Sequence, residues 1–255
     1  MRFPEHPPLE RRGLEELMSR FKALKEEAWE ANREIPRQGL ALYTWGNVSA
    51  FDASLGVFAI KPSGVPYDEL QWEQMVVLDL EGTVLDGNLN PSSDTPTHRI
   101  LYRYFSERSP GAVTGIIHTH STHAVAWAQG AKDIPLYGTT HADHLQLPVP
   151  CTAFLGPDAV ERNYEEETGN LIVETFRERN IDPAQVPMVL VAGHGPFAWG
   201  ASPLKAVYNG AVLEEVAAMA LLTQQVNPAA VPLPEHIIRK HYLRKHGPNA
   251  YYGQK

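Results

Sequence analysis

The stretch Val113-Thr114-Gly115-Ile116-Ile117-His118-Thr119-His120 runs an apolar segment into two histidines spaced i and i+2. In an extended strand that spacing puts both imidazoles on one face, roughly 7 Å apart along the backbone. Two such side chains at a strand end can share one metal ion. Zinc wants three or four N and O donors from separate elements, with nitrogen at about 2.0–2.1 Å. His194 is a third candidate donor, set between Gly193 and Gly195 just after an apolar run, where small neighbours permit close approach. Asp94 can add a carboxylate from a helix start, although taken alone it reads as a plain helix cap rather than a ligand. His123, three residues beyond the pair, competes for the third place.

A second constellation suits an anion. Gly46-Asn47, Lys61 with Ser63-Gly64, and Ser92-Ser93 are three loops of small polar residues carrying one positive charge. Ser92 and Ser93 precede an expected helix, where free N–H groups and the helix dipole favour negative charge. Each alone is an ordinary turn; together they fit a phosphate monoester. Gly193-x-Gly195 is followed by Gly200 and opens no helix, so it does not make a dinucleotide fingerprint. Neither a G-x-S-x-G elbow nor a Walker A lysine is present.

The elements that must position these groups can be read from periodicity. Residues 1–11 are rich in proline and charge and read as a flexible lead-in, leaving 12–255 as one domain. Leu14, Leu17, Met18, Phe21, Leu24 and Ala28 keep a helical rhythm that Pro36 and Gly39 should end. Leu40–Thr44, Val48–Ala50, Val57–Lys61, Met75–Leu80 and Thr83–Leu85 read as strands joined by short turns, which implies antiparallel pairing. Ser92–Pro96 starts a helix, and Ser121 is placed to cap another through Trp127. Residues 131–157 look irregular. A helix over 163–179, strands at 188–192 and 197–200, and helices from Ser202 to Asn227 and from Pro234 to His246 complete the chain.

Composition limits the options. The chain has 255 residues, 43 % of them apolar, and no unbroken apolar run near the roughly 18–20 residues of a membrane span. The first residues lack the apolar core of a signal peptide, and the single cysteine, Cys151, excludes an internal disulfide. A cytoplasmic protein is expected. The net charge of −8 argues against a nucleic-acid binder, and an anionic substrate would need a local positive site. Seven of the 11 histidines fall between His98 and His194, the span that holds the metal candidates.

Taken together, Thr44–Ser49, Lys61–Val65, Pro91–His98, His118–Ser121, Gly138–Asp143, Gly193–Gly200, Lys240–Gly247 and Tyr251–Gln254 closely resemble the class II aldolase/epimerase family, in its branch of pentulose 5-phosphate 4-epimerases. The resemblance runs in order from about residue 20 to the C-terminus. It implies an α/β three-layer fold, with a central, largely antiparallel sheet flanked by helices on both faces. It implies one zinc ion per subunit, or another divalent ion such as Mn2+ or Co2+, held by Asp94, His118, His120 and His194. Substrate and phosphate contacts are implied for Gly46, Asn47, Lys61, Ser63, Gly64, Ser92 and Ser93. Asp143 and Tyr252 are implied as proton-transfer groups, with Thr139, Glu165 and His241 in support. It further implies a homotetramer with active sites shared between subunits, no membrane partner, and a role in pentose (arabinose) catabolism.

The implied reaction converts L-ribulose 5-phosphate to D-xylulose 5-phosphate. The C4–H of this ketose lies beyond the position α to the carbonyl, so simple deprotonation cannot invert C4. Breaking C3–C4 in a retro-aldol sense, turning the aldehyde and re-forming the bond inverts it, with a Lewis acid stabilising the charge that develops on oxygen. Family aldolases that cleave fuculose or rhamnulose 1-phosphate carry a glutamate where Asp94 stands, so Asp94 favours the epimerase. A methylthioribulose-phosphate dehydratase is disfavoured on the same ground. Non-catalytic interaction modules of the adducin type lack the metal histidines retained here.

Overall fold

The computed structural model describes residues 8–252. It contains α1 (Pro8–Arg37), β1 (Asn47–Asp52), β2 (Val57–Ile60), β3 (Val76–Asp79), β4 (Val84–Asp86), α2 (Thr95–Arg108), β5 (Gly115–His118), α3 (Thr122–Gln129), α4 (Thr139–Ala142), α5 (Pro157–Glu178), β6 (Met188–Val191), β7 (Gly195–Gly200), α6 (Pro203–Val226) and α7 (Glu235–His246). The strands form one seven-stranded sheet in the order β4-β3-β2-β1-β5-β7-β6, and every strand pairing in it is antiparallel.

Strand residues alternate between two cores, as a period of two requires. Val48, Ile117, Met188, Leu190 and Ala198 point to one face, in a cluster with α1, α3 and α6 residues such as Ile35, Trp127 and Leu213. Phe51, Phe58, Ile116, Val189, Phe197 and Trp199 point to the other, against Leu101, Tyr102, Ile172 and Phe176 of α2 and α5. The middle of α1 extends the first face over β2 and β3 through Phe21, Leu24 and Ala28. This is the three-layer α/β arrangement expected from the resemblance.

Several expectations need correction. Helix α1 already includes residues 8–11, while 1–7 of the proposed lead-in lie outside the described residues. Leu40–Thr44 is a turn-rich loop, not a strand; Tyr43 takes a positive φ of 53° there, which no strand allows. Helix α5 begins at Pro157, earlier than residue 163, because Gly156-Pro157 supplies a proline start. Asn163 is then a non-helical break inside it. The region 131–157 holds the short helix α4 and an isolated bridge between Ile134 and Val149.

Helix α6 is long and apolar enough, by length and composition alone, to cross a membrane. Its burial against β5 and β7, and the Asn209 side chain donating to the Trp199 carbonyl at 2.7 Å, mark it as a core helix.

Candidate active site

Strand β5 ends at His118, so His120 stands just beyond the sheet and not on the same strand face as expected. The two rings still meet, with centroids 4.9 Å apart. The β6–β7 turn brings in His194, whose ring lies 4.7 Å from His118 and 5.2 Å from His120. Gly193 makes that turn with a φ of +72°, and a Cβ there would meet the Phe154 ring at 2.8 Å. The positive φ is what favours glycine at this position, since the exposed Phe154 ring can swing aside. Gly46 has a similar role: at φ +81° it passes so close to β5 that a Cβ would come within 2.7 Å of the His118 carbonyl oxygen.

Among the described residues, one ligand atom from each of His118, His120 and His194 lies within 4.8 Å of the others. Tetrahedral zinc–nitrogen bonds place donors about 3.3 Å apart, so a small inward movement suffices. The donor chemistry fits a metal as well. His118 Nδ1 donates to the Pro196 carbonyl at 2.9 Å, which leaves Nε2 as a free lone pair. His194 Nδ1 is buried and has no hydrogen-bond partner among the described residues. Burial, with His118 nearby, pushes the His194 imidazole down to about 4, and burial also lowers His120. Neutral imidazoles are the form a metal needs.

His123 does not join this group. Its Nδ1 lies 2.7 Å from Glu214 Oε1, and its backbone N–H donates to the same oxygen at 2.9 Å. Ala124 N–H donates to Glu214 Oε2 at 2.9 Å, so Glu214 of α6 caps α3. The Ser121 side chain makes no capping bond to the α3 N-terminus.

Asp94 precedes α2 yet also makes no side-chain capping bond. Its Oδ2 accepts from Asn47 Nδ2 at 2.6 Å. Burial pushes this carboxyl up, but the His118 and His98 imidazoles, the Asn47 hydrogen bond and His194 bring it net below the usual carboxylate range. Asp94 lines the same cavity as the three histidines but stands outside their tight cluster.

That cavity measures about 470 Å³, a size suited to a small ligand. Gly46, Asn47, Lys61, Ser63, Gly64, Ser92 and Ser93 all line it, as does Glu165. The Lys61 ammonium is buried, with only the Pro62 carbonyl at 3.3 Å and the Tyr67 ring at 5.0 Å. It has no ion-pair partner among the described residues, and burial pushes it down to about 8. A buried cation without a counter-ion is costly unless an anion arrives.

The other expected site residues lie elsewhere. Asp143 follows α4 and is held by α7: His241 Nδ1 lies 2.9 Å from its Oδ1, and Lys245 Nζ 3.5 Å from its Oδ2. Burial alone would raise this carboxyl; the Arg244 and His241 hydrogen bonds and the Lys245 charge bring it down to about 2. Tyr252 belongs to the same cluster, its ring 4.4 Å from the Lys245 ammonium and 5.2 Å from the Arg244 guanidinium. Thr139 accepts the Asp143 N–H through its carbonyl at 2.8 Å. Neither Asp143 nor Tyr252 lines the histidine cavity of the same chain.

Two neighbours of the site escaped the sequence reading. Tyr164 lines the cavity with its ring 5.8 Å from His194, placed there by the break at Asn163; its only sequence signal was the adjacent Glu165. His98, one turn after Asp94, is fully buried with Nδ1 2.7 Å from Ser49 Oγ. Burial pushes it down to about 3.

Comparison with known proteins agrees with this architecture. Residues 26–221 match the family described as Class II Aldolase and Adducin N-terminal domain. The chain is 49 % identical over 232 residues to the L-ribulose-5-phosphate 4-epimerase UlaF of Salmonella paratyphi B, covering 91 % of this chain and 99 % of that protein. The enzyme of the same name from Salmonella typhi is 48 % identical over the same coverage. The solved structure of an L-fuculose 1-phosphate aldolase shares the fold, with a TM-score of 0.69 at 23 % identity over 86 % of this chain and 94 % of that one. By its sheet order, its histidine cavity and this match, the chain belongs to the class II aldolase and adducin N-terminal domain family.

Proposed function

We propose that the protein is a zinc-dependent L-ribulose-5-phosphate 4-epimerase, working as a homotetramer with shared sites. The observation that carries this reading is a single cavity lined by three imidazoles, Asp94 and a buried Lys61 that has no ion-pair partner among the described residues. The near full-length similarity to enzymes of that name supports the choice of reaction.

In this reading His118, His120 and His194 hold the ion, with Asp94 as a fourth ligand. When bound, zinc supplies Lewis-acid stabilisation of negative charge on the ketose oxygens, worth several kcal/mol. The chain's own residues do the rest. Lys61 binds the phosphate, aided by the hydroxyls of Ser63, Ser92 and Ser93 and by the close backbone at Gly46 and Gly64. The N–H groups opening α2 add to that anion site. Held there, the aldehyde fragment from C3–C4 cleavage can turn over its faces without escaping.

Asp143, ionised by its Arg244 and His241 partners, acts as the base at the C4 hydroxyl, and the Tyr252 hydroxyl serves the opposite face of the aldehyde. Thr139 and His241 steady Asp143, and Glu165 lies at the cavity wall. Because this pair lies apart from the cavity within one chain, a neighbouring subunit supplies it.

Incubating purified protein with L-ribulose 5-phosphate, with and without zinc, tests the proposal. Zinc-dependent formation of D-xylulose 5-phosphate is expected. Release of free glycolaldehyde phosphate as the end product would instead assign an aldolase.

A further inference from the structure

Tyr67 sits in the turns between β2 and β3, 7 % exposed, in the same core cluster as Ile35 and Leu40. It does not line the histidine cavity, but its hydroxyl reaches two residues that do. The Tyr67 O–H lies between two consecutive carbonyls, 2.7 Å from Trp45 O and 2.8 Å from Gly46 O. Burial, with the Asp94 charge, raises the phenol above its ordinary value, so the hydroxyl keeps its proton and stays a donor.

Gly46, at φ +81°, turns the two neighbouring carbonyls towards one point. Each is a strong acceptor that is costly to leave without a donor, and the two repel when they converge. The Trp45–Gly46 peptide is trans, which sets its N–H opposite to its C=O. With that oxygen held by Tyr67 behind the cavity wall, the Gly46 N–H faces the other way. It has no hydrogen-bond partner among the described residues, and Gly46 borders the cavity together with Asn47 and Lys61.

We propose that Tyr67 is a positioning residue for the anion site: its hydroxyl locks the Trp45–Gly46 peptide so that the N–H, and not the carbonyl, is presented to the substrate phosphate. This rests on the phosphate reading above and not on the fate of the sugar. Without the hydroxyl, glycine lets the peptide flip, and an acceptor then faces the phosphate oxygens. The ring has a separate part, since Lys61 Nζ lies 5.0 Å from its centroid. Phenylalanine keeps that contact and the packing, and so isolates the hydroxyl.

The test is binding of inorganic phosphate to the zinc-loaded protein, measured by calorimetry as a function of pH. Tyr67→Phe should weaken it about 10–100-fold, the cost of losing one hydrogen bond to a charged group. Zinc affinity, measured by competition with a chromophoric chelator, should stay unchanged. The alkaline midpoint of phosphate binding should stay too, because Lys61 keeps its ring. Tyr67→Leu, which loses the ring as well, should bind phosphate no better than Tyr67→Phe and should have the lower Tm.

Wild-type phosphate affinity in Tyr67→Phe, with a defect only in Tyr67→Leu, would reduce Tyr67 to core packing and overturn the proposal. A shifted alkaline midpoint in Tyr67→Phe would overturn it too, by routing the effect through Lys61. If Tyr67→Phe fails to fold, isotope-labelled glycine amides of the wild type carry the test. Phosphate should move the Gly46 resonance, and an unmoved Gly46 would overturn the proposal. A wild-type protein that binds no phosphate would retire the phosphate reading and the proposal with it. One that binds phosphate with this dependence on Tyr67 but does not epimerise would retire only the proposed reaction and leave the role of Tyr67 standing.

Discussion

Arg244 holds Asp143 through two parallel hydrogen bonds, Nε to Oδ1 at 2.9 Å and Nη2 to Oδ2 at 2.5 Å. The fork-on-carboxylate geometry fixes both the position and the charge of Asp143. It also ties α7 to the end of α4, so the tail that carries Tyr252 is anchored to the same carboxylate.

The proposed proton-transfer pair makes a clear expectation. Asp143→Asn and Tyr252→Phe should each cut epimerisation by about 10²–10⁴-fold while zinc content stays stoichiometric. Mixing Asp143→Asn protein with His118→Ala protein under subunit exchange should restore part of the activity, because one hybrid site then has both halves intact. No recovery would count against the shared site.

Metal binding should be visible as stability. Zinc added at one hundred times its dissociation constant should stabilise the fold by about 2.7 kcal/mol, read as a higher Tm, and a chelator should reverse it. His194→Ala, which removes one of the three clustered imidazoles, should abolish most of that gain. A Tm indifferent to zinc would sink the metal site.

Lys61 predicts a pH effect. Its pKa is pushed down to about 8 by burial, and only the protonated form attracts a phosphate dianion. kcat/KM should therefore fall on the alkaline side, with a midpoint near pH 8, and Lys61→Met should raise KM and erase that limb. The stability sign is opposite. Between the folded value and the ordinary lysine value the unfolded chain binds more protons, so Lys61 makes the fold more stable as pH rises through that window. Denaturant titrations of wild type and Lys61→Met across the window read this difference.

Glu214 and His123 separate a structural role from a metal role. Glu214→Ala removes the acceptor for the His123 and Ala124 N–H groups and should cost about 1–3 kcal/mol in denaturant titration. His123→Ala should leave zinc affinity unchanged. A weakened affinity there would make His123 a ligand after all.

Much of the fold was legible from local patterns. The hairpin around Glu81-Gly82, the short apolar strands bounded by turns, and the helix starting at Ser202-Pro203 depend on periods and end signals that lie within a few residues. The misreadings also have local causes. Leu40–Thr44 is apolar enough for a strand, but Gly39 and Gly46 at positive φ and Tyr43 at 53° coil it into a loop. The early start of α5 was hidden because its first turn is exposed and carries no apolar stripe, and Asn163 then interrupts the rhythm.

The sequence by itself determined the donor types, the His-x-His spacing and the short strands with their turns, because residue chemistry and end signals are properties of neighbouring positions. The tertiary structure decided who meets whom. The glycines beside His194 mark it as a candidate partner for His118, but nothing within a few residues of His123 says that it belongs to Glu214. The Asn47–Asp94 bond spans 47 positions and the Arg244–Asp143 bond 101. Such pairings form only when the sheet and its two helical layers close, and no local period encodes them.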